Sequence, residues 1–181
     1  MTLTHPALYV VTAVIGVMFV AAAFGKVDGW PRWSATAAAL LWNRRRLARV
    51  LRVGLPAVEA AVGALTFVWP VWGLAIGSVL LLVLAGGAVA LSAESAGTDC
   101  GCFGALMPSQ IGRPLALRNL ALAAVAAAGA VLAHGVGAPA FGLLELLLIA
   151  LIALHLLVLV ELRRMPSQIL RGASELRPRS A

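Results

Sequence analysis

Residues 53–93 read VGLPAVEAAVGALTFVWPVWGLAIGSVLLLVLAGGAVALSA. A helix needs roughly 20 apolar residues to cross a hydrocarbon core of about 30 Å, so this run is too long for one crossing. VWPVWG at 68–73 divides it. Pro70 interrupts a helix, and Trp69 and Trp72 suit the headgroup level. The run therefore predicts two spans, 53–68 and 72–93. Its residues are apolar on every side, which excludes the alternating pattern of a membrane β-strand.

Outward from this pair, the same composition recurs. Ala7–Phe24 predicts an earlier span, 114–133 a later one, and 141–160 a fifth. HGVGAP at 134–139 reads as the turn between the last two. Residues 1–161 then form a single membrane domain, and 162–181 a basic tail. The first apolar run lacks a basic leader and a small-residue cleavage site, so it is expected to be a retained helix. Over the 181 residues, 62% are hydrophobic and 12% charged, and the mean hydropathy is +0.99. Soluble domains sit nearer 45–50% apolar and about 25% charged, so lipid must be the solvent. The expected fold class is an all-α polytopic bundle in the cell membrane.

The net charge of +7 is not spread as a nucleic-acid surface would be. Of 14 basic residues, seven lie in 26–52 and five in the tail. Charge clustered beside spans is a topology signal and suits an anionic lipid surface. In 27–52, Trp33, Ala37, Leu40, Leu41, Leu47 and Val50 recur at helical spacing. Trp30, Trp33 and Trp42 fit the headgroup level, so this segment is expected to be an interfacial amphipathic helix. Five spans place 26–52, residues 94–113 and the tail on one side, which the arginines make cytoplasmic.

Two kinds of residue are costly in such a chain and therefore informative. Glu59 falls inside the second span, where an ionisable group costs a few kcal/mol and suggests function. Lys26 closes the first span on the side where the second begins, so a Lys26–Glu59 pair would offset the cost. That pair can equally be a lock between two helices.

The cysteines are the second kind. Both lie in TDCGCFG, 98–104, between apolar runs. A Cys-X-Cys disulfide closes a small ring, is strained and is readily exchanged. Gly101 allows the backbone dihedrals that closure needs. Asp99 beside Cys100 disfavours a thiolate, and Arg113 or Arg118 would favour one. Arg118 and Asn119, just inside the fourth span, are expected to reach the interface. Three chemistries fit: a redox dithiol that exchanges with another protein, a thiolate site for Cu(I) or Zn²⁺ with distant ligands, and two inert thiols. A single pair cannot pass electrons within the chain, so the redox reading requires an outside partner.

Several of these elements, in order, resemble the methylamine-utilisation protein MauE family, which is similar in character to DoxX-type membrane proteins. The elements are FGKVDGW at 24–30, LPAVEAAVGAL at 55–65, DCGCFG at 99–104 and RPLALRNLAL at 113–122. The resemblance implies a DoxX-like four-helix core. It implies a redox pair, Cys100 and Cys102, with Lys26, Glu59, Arg118 and Asn119 in support, beside Gly101 and Asp99 from the local reading of the loop. It also implies disulfide formation in an exported client, as in maturation of the methylamine dehydrogenase small subunit, with a thioredoxin-like partner. No cofactor, resident metal or nucleic acid is called for. The rival expectations are a non-catalytic scaffold or transport component, and a metal-binding membrane protein. A maturation role requires an oxidising, extracytoplasmic loop, whereas the arginines point to the cytoplasm; these two signals conflict.

Overall fold

The computed structural model describes residues 4–40, 45–95, 112–137, 141–142, 144–145, 147–149 and 151. These residues form α1 (Thr4–Asp28), α2 (Trp30–Leu40), α3 (Arg45–Val68), α4 (Pro70–Ser95) and α5 (Arg113–Val136). No strand occurs among them. Within this described set, α1, α3, α4 and α5 are the helices long and apolar enough to cross a membrane. The chain is thus a polytopic helical membrane protein.

The helix boundaries have local causes. Pro70 opens α4, where its missing N–H is no loss. Gly73 donates to the Trp69 carbonyl at 2.9 Å, so the α3–α4 connection is a single residue. Pro114 lies in the first turn of α5. That helix ends at Gly137, whose φ of +93° favours glycine.

Residues 1–141 form one compact unit. In it α1 packs on α3, α3 on α4, α4 on α5, and α5 returns to α1. Neighbours run antiparallel. Positions 16 and 63 of α1 and α3 approach closely, Ser78 Oγ of α4 donates to the Ala123 carbonyl of α5 at 3.0 Å, and Leu74 meets Gly129. The centre is filled by Leu8, Ile15 and Phe19 of α1, Val62 of α3, and Leu74 and Leu81 of α4. Ala123, Ala126, Ala130 and Ala133 of α5 complete it. Alanine on α5 lets the backbones approach, which is how helices associate where lipid is as apolar as leucine. The outer faces carry exposed Val10, Val14, Val79, Val83, Leu117 and Val131.

The segment 27–52 differs from expectation. It is not one amphipathic helix: α2 spans Trp30–Leu40, while Arg45–Arg52 is the start of α3 and continuous with the span. Arg and Leu are strong helix formers, and nothing between 45 and 55 stops propagation. The expected apolar face is divided accordingly. Trp33 and Ala37 are buried, whereas Leu47 and Val50 are exposed. The expected fifth span falls mainly outside the described residues, although Leu144, Glu145, 147–149 and Leu151 are helical. These belong to a second unit, 142–181. The tail 162–181 lies outside the described residues.

Candidate functional site: a buried ion pair at the basic end of the bundle

Lys26 and Glu59 meet in the interior. Lys26 Nζ donates to Glu59 Oε1 at 2.9 Å and Oε2 at 2.8 Å, so the ammonium bridges both carboxylate oxygens. Lys26 is 0% exposed and Glu59 2%. Helix geometry explains how groups on different turns reach each other. Side chains lean toward the N-terminus of their own helix. In antiparallel helices, that sends Lys26 back along α1 and Glu59 back along α3, toward one another. A weaker contact from Lys26 Nζ to the Ala22 carbonyl, at 3.5 Å, follows the same lean.

Helix α2 supplies a third contact. The Trp33 ring lies with its centroid 5.4 Å from Lys26 Nζ, within cation–π range. The Trp33 indole Nε1 donates to the Arg52 carbonyl at 2.8 Å. The Arg52 guanidinium stacks over Trp30 at 5.3 Å. Trp33, expected on the apolar face of an interfacial helix, is 3% exposed and packed inside the bundle. The signal that could have revealed its role is Pro56, four residues after Arg52. A proline there removes the N–H that would otherwise bond the Arg52 carbonyl.

The other expected site residues divide into two groups. Asn119 is buried on α5, one turn toward Arg113 from Ala123. Arg118 is half-buried beside it. Asp99, Cys100, Gly101 and Cys102 lie outside the described residues. The helices they connect are described: α4 ends at Ser95 and α5 begins at Arg113. Both termini are at the end of the bundle where α1 finishes and α3 starts. Lys26, Glu59, Asn119 and Arg118 therefore lie toward the end that the Cys-Gly-Cys stretch joins. No group of three or more His, Cys, Asp or Glu side chains is assembled for a metal among the described residues.

Lys26 is the only lysine in the chain, the remaining 13 basic residues being arginine. An ammonium is a compact point charge that fits between one carboxylate and one ring face. A guanidinium is wider and planar. The pair can hold α1 against α3 and keep a charged group inside the bilayer region at reduced cost.

The family model for methylamine utilisation protein MauE matches residues 4–133. The match takes in α1 to α4 and most of α5, with Lys26, Glu59, both cysteines and Asn119. No curated protein and no solved structure matches the chain. The match covers well over half of the chain, and the chain belongs to the MauE family of methylamine utilisation proteins, as a multi-pass membrane member.

Proposed function

We propose that this protein is a membrane thiol–disulfide exchanger that supports disulfide formation in a partner. Cys100 and Cys102 are its reacting pair. A client thiolate attacks the Cys100–Cys102 disulfide, one sulfur leaves as thiolate, and a mixed disulfide forms. The client's second thiol then attacks that bond. The client gains an S–S bond, and two electrons and two protons remain on Cys100 and Cys102. A thioredoxin-like partner in its disulfide form reverses this on the membrane protein by the same exchange. Every step breaks one S–S bond and makes one, and no other oxidant enters.

The observation that carries this reading is the family match across DCGCFG, the only sulfhydryl pair in the chain. The arrangement of α4 and α5 supports it, since both helices flank that stretch at the polar end of the bundle. Lys26 and Glu59 act as supporting residues, with Asn119 and Arg118 on α5. The client class is an exported protein with several disulfides, of the kind methylamine utilisation requires.

The test is trapping in native membranes. Cys100→Ser and Cys102→Ser variants each leave one thiol. One of them is expected to accumulate a reductant-sensitive adduct containing a thioredoxin-like protein or a client. Adducts from neither variant would overturn the proposal and favour the scaffold reading.

A further inference from the structure

Trp33 makes two contacts in two directions. Its indole Nε1 donates to the Arg52 carbonyl on α3, and its ring face meets the Lys26 ammonium of α1. The first contact exists because of Pro56. In a helix each carbonyl accepts from the N–H four residues on, so the Arg52 carbonyl would be served by residue 56. Proline has no N–H to give. The freed carbonyl would be costly inside a low-dielectric bundle, and the Trp33 indole satisfies it. Pro56 is itself buried in α3, less than one turn from Glu59.

We propose that Trp33 is a positioning residue for the Lys26–Glu59 pair. The bond to the proline-freed Arg52 carbonyl is a latch. It holds α2 across the pair and keeps water from Lys26. Phenylalanine would retain the ring face and lose the donor. Alanine at 56 would return a helical donor to the carbonyl and make the indole bond redundant. The two changes thus act on one bond from opposite ends. None of this involves the cysteines, so it stands apart from the exchange chemistry.

Lys26 provides the measurement, being the sole lysine. The full-length protein in lipid nanodiscs is treated at fixed pH with a water-soluble acylating reagent. The peptide carrying Lys26 is then followed by mass spectrometry. Labelling of a buried amine reports how often the cover opens. Trp33→Phe and Pro56→Ala are each expected to raise the rate between roughly twofold and tenfold, the span of one net hydrogen bond. The double variant is expected to label no faster than the quicker single variant, because the same bond is lost only once. Circular dichroism melting of the same samples separates local opening from unfolding, and labelling is expected to accelerate well below the midpoint. Wild-type labelling in Trp33→Phe, or effects that multiply in the double variant, would overturn the latch. If Trp33→Phe does not fold, Pro56→Ala decides alone: the expected outcome is faster labelling, and a wild-type rate overturns the latch.

Discussion

At the scale of single residues, the strongest constraint is that two opposite charges share an interior that excludes water. Lys26 and Glu59 are each tolerated only because of the other. Glu59→Ala leaves an ammonium with no carboxylate inside a span, which costs about 3 kcal/mol. That variant is expected to lose folded protein in a brief heating step that spares the wild type. Lys26→Met with Glu59→Leu removes both charges and is expected to recover most of the survival, since an apolar pair of similar volume carries no desolvation cost. Survival of the double variant no better than Glu59→Ala would mean that the ammonium is needed for more than the carboxylate. This pair was legible in the sequence, because a charge inside an apolar run requires a counter-charge and Lys26 was the nearest at the same end. Trp33 was not. Periodicity treats tryptophan as an apolar or interfacial residue, and nothing local to 33 announces a carbonyl freed by a proline 23 positions later.

At the scale of elements, the α1–α3 contact depends on glycine at the crossing. A Cβ on Gly63 would lie 2.7 Å from Val20 Cγ2 and 3.1 Å from the Gly16 carbonyl oxygen. The oxygen is backbone, so α1 would have to move. Gly63→Ala is expected to destabilise the bundle by about 1–3 kcal/mol, read as a lower midpoint in a thermal aggregation assay. Gly86 has nothing within 4 Å of a built Cβ, and Gly86→Ala is expected to leave the midpoint unchanged or slightly higher. The four spans among the described residues and the break at Pro70 were legible because apolar length and a proline are strong, local signals. The start of α3 was not. Arg and Leu at helical spacing describe an interfacial helix and the first turns of a span equally well, and only tertiary packing separates the two. Helix α2 was half legible: its helicity was expected, but its buried face was not.

At the scale of the whole molecule, charge is polarised along the bundle. Arg46, Arg49, Arg52 and Arg113 gather at the end where α1 finishes, and Trp69 and Trp72 stand exposed at the other. The positive-inside rule assigns the arginine end to the cytoplasm, whereas the proposed exchange with an exported client requires that end in the oxidising compartment. If the charge rule holds, single cysteines at Gly29 and Gly112, with serine at 100 and 102, resist an impermeant maleimide in intact cells and react after lysis, which would overturn the exported-client reading. One at Trp69 would then react in intact cells. The opposite pattern is the one the proposed function expects: it would put the Cys-Gly-Cys stretch in the oxidising compartment that client maturation requires, and would show that the arginines do not set the orientation.

The one-residue link between α3 and α4 has a consequence for biosynthesis. Helix α3 carries arginines, a proline and Glu59, and is the least apolar of the four candidate spans. It follows that α3 partitions less readily by itself than α4. Helix α4 is strongly apolar and begins at once after Trp69, which leaves no polar connector to be parked outside while one helix waits for the other. The two are therefore expected to enter lipid together as a hairpin, once α4 has emerged from the ribosome, so that the carboxylate of Glu59 reaches Lys26 only at that stage.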